Sequence, residues 1–376
     1  MRVGFDIGPI TATRTGVGNY CYYLLKHLLR LLEADERIVG FATGRERPSL
    51  HELESRLKYR YIPVPTRVMY RSWTWFNRPR VDRCLGGLDI YHATNYFLPP
   101  TESAKRVVTI HDLAFMATPE LASPKIVGPY SRQMTTFAHE ADAIMAYSES
   151  TKADIVHYLD VPPEKITVAP MAVDEGFEPM PRDEAERWVR EKYFVETPFL
   201  LFVSTLEPRK NVPTLLHAFA RVAREIPHKL VLVGGIGWDS EEIFDTMRRL
   251  RITDRVVRPG FVPHHELPAF YCAADAFVFP TLYEGFGLPL LEALTCGCPV
   301  ITSNNSSVPE VTGDAALRSD ANDDENIAAD IRRVLGNPEL VAEMKKRGFG
   351  HATKYSWDAC ARATLEVYRN LAQCVS

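Results

Sequence analysis

The chain has 376 residues, which is too long for one hydrophobic core of ordinary size and suits two domains. Its hydrophobic share of 46% and charged share of 24% are those of an ordinary soluble globular protein, and its net charge of −4 argues against a general nucleic-acid-binding protein. The 7 cysteines include no C-x-x-C pair, so neither a disulfide framework nor a zinc site is indicated, and a reducing cytoplasm is the expected location. Met1 to Ile10 lacks the features of a signal peptide and no apolar run approaches about 18 residues, so we expect neither export by that route nor a membrane span.

Short apolar runs alternate with helical patterns from one end of the chain to the other. A first set of strands is predicted at Val3 to Ile7, Asp89 to His92, Val107 to His111, Ala143 to Tyr147 and Ile166 to Ala169, with an amphipathic helix at Tyr20 to Leu32. A second set is predicted at Phe199 to Ser204, Lys229 to Val233, Val256 to Arg258, Ala276 to Phe279 and Val300 to Thr302, with helices near Val212 to Glu225, Glu241 to Leu250 and His265 to Ala274. Strands that are apolar on both faces and separated by helices indicate parallel sheets, and therefore two doubly wound, Rossmann-like α/β domains.

The domain boundary is predicted near Asp174 to Arg182, where acidic residues, two prolines and a glycine interrupt the pattern. We therefore expect an N-terminal domain at residues 1–178, a C-terminal domain at residues 179–355 and a flexible joint between them. The last helical patterns, Ala328 to Arg347 and Trp357 to Gln373, follow the second sheet.

The segment from Thr281 to Pro299 places two glutamates eight positions apart around a glycine turn and a helix start. Glu284 lies in the turn and Glu292 on the helix. Carboxylates in these places can accept hydrogen bonds from sugar hydroxyls or stabilise positive charge that develops on a sugar carbon. The alternative is a solvated loop glutamate and a favourable first-turn charge.

The turn between the two glutamates has the composition of an anion site. Gly285 and Gly287 allow the backbone to turn sharply, and Pro289 suits the first helical position. The N–H groups of Phe286, Gly287 and Leu288 would then point outward at the positive end of the helix dipole, which favours a phosphate or diphosphate. Together with the two carboxylates, this predicts a site for a nucleotide sugar.

This arrangement of Glu284 and Glu292, within YEGFGLPLLEAL and followed by Gly297 and Pro299, resembles the signature of retaining glycosyltransferases of family 4. The resemblance extends over most of the chain, through the segments Gly16–Gly18, His111–Asp112, Ser148–Ser150, Glu207–Asn211 and Gly260–Val262. It implies the GT-B fold, in which two Rossmann-like domains face a cleft, and a terminal helix, residues 356–376, that crosses back to the first domain.

The resemblance also implies roles for the residues of the second domain. Glu292 would hold ribose hydroxyls, Glu284 the donor sugar, and Lys210 the diphosphate. Arg209 would add positive charge, since many relatives have an arginine where this chain has Thr205. Two solvated cations before a helix are the alternative for Lys210 and Arg209.

Two further segments of the second domain are expected beside the nucleotide. The loop of Gly260, Phe261 and Val262, together with Gly234, would flank the base and sugar through backbone contacts. The His264–His265 pair has no partners at metal-ligand spacing and is predicted to be solvated, and Ser307-x-x-Glu310 predicts a capping box. The sequence contains no Asp-x-Asp, so we expect a metal-independent enzyme without a cofactor, in which cations and backbone N–H groups hold the donor diphosphate.

In the first domain, the loop of Gly16, Val17 and Gly18 is implied to close on the donor diphosphate and the acceptor, with a plain strand-to-helix turn as the alternative. It does not complete G-x-G-x-x-G, because Cys21 stands at the last position, so a redox cofactor is not expected. His111 is implied to contact the transferred sugar near the reacting centre. A structural role is the alternative.

These features predict a retaining hexosyltransferase that acts on a hydroxyl of a glycan or of a lipid-linked saccharide. Leu206–Asn211 resembles the corresponding segment of bacterial mannosyltransferases of surface-polysaccharide assembly, which favours GDP-mannose as the donor. The alternatives are a nucleotide-sugar epimerase of the same architecture and a non-catalytic nucleotide-sugar-binding protein. No nucleic-acid partner is expected.

The segment from Arg56 to Arg83 mixes eight basic residues and one acidic residue with six aromatic ones. This mixture suits an anionic membrane surface and predicts a peripheral enzyme on the inner face of the cytoplasmic membrane. A core helix with solvated arginines, or an aromatic wall of the acceptor groove, is the alternative.

Overall fold

The computed structural model describes residues 1–12, 16–122 and 124–373. Contacts divide the chain into two compact units. Unit 1 contains the described residues of Met1–Ala117, Pro124–Ala172 and Ser356–Ser376, and unit 2 contains those of Thr118–Ser123 and Val173–Tyr355. None of the described helices is both long enough and apolar enough to cross a membrane.

Unit 1 is built on a parallel sheet whose described strands lie in the order β3-β2-β1-β4-β5-β6-β7. The strands are β1 (Arg2–Asp6), β2 (Arg37–Thr43), β3 (Lys58–Ile62), β4 (Ile90–Ala93), β5 (Lys105–Thr109), β6 (Ala143–Ala146) and β7 (Ile166–Val168). The helices are α1 (Gly16–Leu31), α2 (Thr66–Phe76), α3 (Val81–Cys84), α4 (Ala114–Ala117), α5 (Pro124–Glu140) and α6 (Glu149–Leu159). The central strands carry the core because their side chains are buried on both faces, as the adjacent Val107 and Val108 of β5 are.

Unit 2 has a second parallel sheet, with described strands in the order β10-β9-β8-β11-β12-β13. These are β8 (Phe199–Val203), β9 (Lys229–Val233), β10 (Val256–Gly260), β11 (Ala276–Phe279), β12 (Val300–Ser303) and β13 (Ala316–Ser319). The helices are α7 (Arg182–Tyr193), α8 (Val212–Val222), α9 (Glu241–Arg249), α10 (Leu267–Ala273), α11 (Leu288–Thr295), α12 (Val308–Thr312), α13 (Asp324–Leu335) and α14 (Pro338–Ala352). The two parallel sheets, with helices between most successive strands, confirm the predicted fold of two doubly wound α/β domains.

The terminal helix α15 (Trp357–Gln373) belongs to unit 1 and packs against α1. Asp358 Oδ1 lies 2.6 Å from His27 Nδ1. Arg369 makes two hydrogen bonds of 2.9 Å to the carboxylate of Glu36. Tyr368 is fully buried and its hydroxyl bonds to His92, so polar contacts as well as apolar packing fix the helix on the sheet.

The units divide between Ala172 and Val173, a few residues before the boundary predicted from composition. The predicted joint is held to unit 2 by two of its side chains. Asp174 Oδ2 lies 3.2 Å from His264 Nδ1, and the Phe177 ring centroid lies 4.8 Å from that of His264. These contacts join residues about 90 positions apart, so composition alone could not reveal them.

Candidate active site

The glycine turn that joins β11 to α11 has the conformation predicted for an anion site. Gly287 precedes the helix in the left-handed region, at φ 91° and ψ 49°, where an added Cβ would lie 3.0 Å from Leu290 Cδ1. Among the described residues, the amides of Phe286, Gly287 and Leu288 donate to no protein group. These three donors at a helix start are therefore available to a ligand.

Two serines that follow β12 hold this turn in place. The Ser307 hydroxyl lies 2.9 Å from the carbonyl oxygens of both Glu284 and Phe286. The Ser306 hydroxyl accepts a hydrogen bond of 2.9 Å from the Glu284 amide. The predicted capping box is therefore wrong: the Ser307 side chain makes no cap bond to its own helix and instead fixes the backbone of the turn.

The Glu284 carboxylate is buried and bonds to Lys210. Its Oε1 lies 2.5 Å from Lys210 Nζ and 2.9 Å from Thr281 Oγ1, and its Oε2 lies 3.4 Å from Arg209 Nη1. Burial by itself would raise the pKa of Glu284, but the two cations and these hydrogen bonds outweigh it, and the pKa is lowered. Glu284 is therefore an anion at neutral pH.

Lys210 is buried rather than solvated, with only 6% of its surface exposed. It ends a short 3-10 turn, Pro208–Lys210, that directly precedes α8. Burial and the neighbouring charge of Arg209 lower the pKa of Lys210, while the charge of Glu284 opposes that shift. Lys210 and Glu284 thus form a buried ion pair at the carboxyl ends of β8 and β11.

Arg209 joins the two loops of this site. Its Nη1 donates a 2.8 Å hydrogen bond to the Tyr283 carbonyl, and its Nη2 lies 3.0 Å from Glu207 Oε1. Its own carbonyl accepts from the Leu282 amide at 2.8 Å. The charges of Arg209 and Lys210 are balanced by two carboxylates, so most of the attraction for a further anion comes from the free turn amides and the remaining Lys210 N–H donors.

Glu292 lies in a separate cluster on α11 and is also buried. Its Oε1 lies 2.9 Å from His264 Nε2, and its Oε2 accepts a 2.8 Å hydrogen bond from the Tyr271 hydroxyl. Both partners were missed by sequence reasoning. Tyr271 lies inside a run of apolar residues on α10, so in the sequence it looks like a core tyrosine. Only the hydrogen bond of its hydroxyl to Glu292 distinguishes it from one.

The prediction that His264 is solvated is wrong, whereas His265 is exposed as expected. The His264 ring bridges Asp174 and Glu292. Burial alone would lower the pKa of His264, but hydrogen bonds to Asp174 and Glu292 outweigh it and raise that pKa to about 9. His264 is therefore a cation at neutral pH, and it fixes the orientation of the Glu292 carboxylate.

The glycines predicted to flank the nucleotide differ in their surroundings. Gly260 has φ +84° and no neighbour within 4 Å of an added Cβ, so its backbone is open to a ligand. Gly234 lies against β8, and an added Cβ there would lie 1.9 Å from the Ser204 carbonyl oxygen. Gly234 is thus required for close packing of the chain. Of the residues that follow Gly260, Phe261 is largely exposed and Val262 is buried.

The predicted residues of unit 1 lie at the start of α1 and after β5. Gly16 is exposed, Val17 is half-buried and Gly18 is buried, and no added Cβ at Gly16 would meet another atom within 4 Å. The segment just before them, residues 13–15, lies outside the described residues. Neither the space around Gly16 nor its backbone conformation therefore requires a glycine at this position.

His111 is buried, with both ring nitrogens engaged inside unit 1. Nε2–H donates a 2.9 Å hydrogen bond to the Thr94 carbonyl, and Nδ1 accepts from the Tyr147 hydroxyl. Burial lowers the pKa of His111 to about 4, so the ring is neutral at pH 7. His92 is engaged in the same way by Tyr368 and Thr109.

The structure brings Lys210, Arg209 and Glu284 together, and places Glu292 beside His264 and Tyr271. Across the described parts of the chain, no three His, Cys, Asp or Glu side chains are grouped as metal ligands would be. The polar groups of unit 2 lie at the carboxyl edge of a parallel sheet, where open α/β folds bind their ligands. A buried ion pair next to free helix-start amides can bind an anionic leaving group and stabilise the charge that develops on it.

Comparisons with known proteins identify the family of the chain. The model of the family described as "Glycosyltransferase Family 4" matches residues 14–177, and that of "Glycosyl transferases group 1" matches residues 185–351. The chain is 30% identical to O-antigen chain mannosyltransferase B of Escherichia coli, over 99% of this chain and 100% of that relative. The chain therefore belongs to the glycosyltransferases of this family and is a hexosyltransferase.

Solved structures show the same fold. Sucrose-phosphate synthase from Thermosynechococcus elongatus superimposes with a TM-score of 0.79 at 21% identity, covering 100% of both chains. The structure of Anabaena Alr3699/HepE in complex with UDP-glucose gives a TM-score of 0.73 at 16% identity, covering 100% of this chain and 99% of that one. These similarities confirm the predicted GT-B fold.

Proposed function

We propose that the protein transfers mannose from GDP-mannose to a hydroxyl of a growing surface glycan, with retention of the anomeric configuration. The observation that carries the proposal is the buried Lys210–Glu284 pair beside the free amides of Phe286, Gly287 and Leu288. The name of the Escherichia coli relative, a mannosyltransferase of the O-antigen chain, supports mannose. The bound UDP-glucose of the Anabaena structure supports a nucleoside diphosphate sugar as the type of donor.

In this proposal the turn amides and Lys210 hold the diphosphate, while the Glu292 carboxylate accepts hydrogen bonds from the ribose hydroxyls. Each carboxylate oxygen has two lone pairs, so Glu292 keeps acceptor capacity beyond its bonds to His264 and Tyr271. Glu284 orients the donor sugar and carries negative charge that stabilises a developing oxocarbenium ion. Arg209 holds the two loops together.

Retention is proposed to proceed by displacement on one face of the sugar. The bond between the anomeric carbon and the phosphate oxygen breaks, the acceptor oxygen bonds to the same face, and the leaving phosphate oxygen takes the acceptor proton. The short hydrogen bond from Lys210 and the lowered pKa of Glu284 make that carboxylate a weak nucleophile, which argues against an intermediate attached to it.

Peripheral binding to an anionic membrane is proposed for one face of α2. Trp75 is 69% exposed, Phe76 is 70% exposed and Val68 is 53% exposed, and the exposed Arg67 and Arg71 accompany them. Aromatic side chains at the interface and arginines on lipid phosphates are the ordinary contacts of such a helix.

One aromatic residue of the predicted membrane-binding segment, Arg56 to Arg83, is not available to a membrane. Trp73 is buried, and its indole N–H donates a 2.8 Å hydrogen bond to the Pro79 carbonyl. Sedimentation with vesicles containing phosphatidylglycerol should therefore require Arg71, Trp75 and Phe76 together. A second triple variant, which removes the exposed Lys346, Phe349 and Glu343 of α14, controls for the loss of three surface side chains. Equal sedimentation of both triple variants would reject the α2 surface as the anchor.

Thermal stabilisation by nucleotide sugars tests the donor assignment. A donor at about 100 times its dissociation constant should stabilise the protein by about 2.7 kcal/mol. GDP-mannose should raise the melting temperature more than UDP-glucose, UDP-galactose or GDP alone, and the Glu284→Gln variant should lose that preference for the sugar. Stabilisation by every nucleotide to the same extent would reject the donor assignment.

The epimerase alternative is tested by leaving the acceptor out. An epimerase would convert the nucleotide sugar in the absence of an acceptor, whereas a transferase leaves it intact apart from slow hydrolysis. Appearance of an epimer at the rate of turnover would reject the proposal.

A further inference from the structure

A cavity of about 180 Å³ lies within unit 1, and none of the residues proposed to hold the donor lines it. It opens where β1, β2 and β4 end, beside α2. Liquid water occupies roughly 30 Å³ per molecule, so the cavity has space for a ligand of monosaccharide size. Its walls combine an aromatic side with a polar floor.

The aromatic side is flat and rigid. Tyr70 and Phe97 are stacked with ring centroids 3.9 Å apart and planes 6° apart, and Trp73 continues the stack at 5.5 Å from Phe97. The hydrogen bond from the Trp73 indole to the Pro79 carbonyl fixes the end of this stack. Aromatic faces of this kind suit the apolar C–H face of a sugar ring.

The polar floor offers both an acceptor and donors. Asp6 ends β1, and its Oδ1 accepts a 2.9 Å hydrogen bond from the Gly8 amide. Its other oxygen bonds to no group among the described residues. Asn95 Oδ1 accepts from the Tyr96 amide at 2.8 Å, and within the same described residues the Asn95 NH₂ group has no partner.

The electrostatics of the cavity favour a neutral ligand over an anionic one. The lining residues that the structure describes include one carboxyl group, that of Asp6, and neither Lys nor Arg. Burial raises the pKa of Asp6 to about 6, against a smaller opposing effect of the Gly8 amide, so holding the charged form here already has a free-energy cost. A phosphate or carboxylate in the cavity would increase that cost, whereas a neutral hydroxyl can donate to Asp6 and reduce it.

We propose that this cavity binds one uncharged hexose ring of the acceptor, with its apolar face on Tyr70 and Trp73 and its hydroxyls on Asp6 and Asn95. The inference rests on the proposed glycosyl transfer and names the class of its acceptor. The acceptor end that enters the protein is a neutral saccharide, and not a sugar phosphate.

Binding to the full chain tests the assignment without any turnover. Saturation-transfer difference NMR and calorimetric titration are carried out with the methyl α-glycosides of mannose, glucose and galactose, and with mannose 6-phosphate as the charged counterpart. At least one neutral glycoside should bind. Asp6→Asn and Tyr70→Ala should each weaken that binding by about tenfold or more, because a hydrogen bond to a charged group or a stacking face is lost.

Matched controls separate loss of the site from loss of the fold. Asp35→Asn removes an exposed carboxyl group of the same unit, and Phe76→Ala removes an exposed ring of the same helix as Tyr70. Both should bind the glycoside as the wild type does, and Asp6→Asn should melt at or above the wild-type temperature. Equal binding by Asp6→Asn and the wild type, or preferential binding of mannose 6-phosphate, would overturn the proposal.

The donor experiment distinguishes failure here from failure of the proposed function. If GDP-mannose stabilises the protein but none of the three glycosides binds, the cavity assignment alone is wrong. If a glycoside binds with the stated dependence on Asp6 while no nucleotide sugar stabilises the protein, the cavity is a saccharide site, but the proposed function and the acceptor role of the cavity both fail.

Discussion

Replacement of Lys210 by Met is expected to destabilise unit 2 as well as to remove activity. If Lys210 were the solvated cation that the sequence left open as an alternative, its loss would leave the fold intact, but Lys210 is buried against Glu284 at 2.5 Å. The variant leaves Glu284 buried with a weaker partner. Only the Arg209 guanidinium at 3.4 Å and the Thr281 hydroxyl at 2.9 Å remain.

The size of the effect follows from that geometry. Breaking a buried ion pair by removing one partner typically costs about 3–5 kcal/mol, and the remaining contacts of Glu284 place this variant at the lower end, at about 3 kcal/mol. Adding Glu284→Gln to Lys210→Met removes the unpaired charge, so the double variant should recover most of the lost stability. The coupling energy between the two sites should therefore exceed about 1 kcal/mol.

Hydrogen exchange measured by mass spectrometry gives the opening free energy of unit 2 separately from that of unit 1. The peptides that report it cover β8 and β11. Arg347→Met serves as the control, because it removes one partner of the exposed Arg347–Glu343 pair, and exposed pairs contribute little to stability. The reasoning would be refuted if Lys210→Met and Arg347→Met had equal opening free energies. Strictly additive effects in the Lys210→Met, Glu284→Gln double variant would refute it as well.

Three further predictions concern charge and pH. Asp6→Asn should stabilise unit 1 at pH 7.5 by up to about 3 kcal/mol, because the pKa of Asp6 is raised to about 6 and the native wild type therefore loses stability as the pH rises from about 4 through 6. A melting temperature below that of the wild type would contradict this. His264→Gln should destabilise the protein most at pH 6 and least at pH 10. The pKa of His264 is raised to about 9, so its contribution to stability is complete below about pH 6.5 and is lost as the pH rises through 9. A calorimetric stability difference that does not depend on pH would count against this. Transfer activity should survive EDTA, since Lys210 and the turn amides are proposed to neutralise the diphosphate; loss of activity that magnesium or manganese restores would reveal a missed metal site.

The sequence predicted the central strands well because these are apolar on both faces. Lys58–Ile62 was missed as a strand and assigned to a basic aromatic surface, since an edge strand such as β3 alternates charged and aromatic side chains. Arg37–Thr43 and Ala316–Ser319 were missed as well; the first begins with Arg37 and the second contains Arg318. The hydrophobic pattern is weakest where strands approach the sheet edge.

The sequence predicted the motifs of the candidate site, but not that its charged side chains are buried. Motif spacing brought Glu284 and Lys210 to one site through the resemblance, but it could not show that the two side chains pair with each other. Nor could it show that Asp174 and His264, about 90 positions apart, would form the ion pair that orients Glu292. Such contacts depend on tertiary packing between segments that carry no local signal for each other.

The most direct test of the central claim is analysis of the product formed from GDP-mannose and a saccharide acceptor that the wild-type protein binds. The reaction should release GDP and a mannosylated glycan in equal amounts. NMR of the new anomeric centre should show the α configuration of the donor, and Glu284→Gln should abolish the product. A β-linked product would contradict retention, and release of free mannose or of an epimerised nucleotide sugar, with no glycan elongated, would contradict glycosyl transfer by this site.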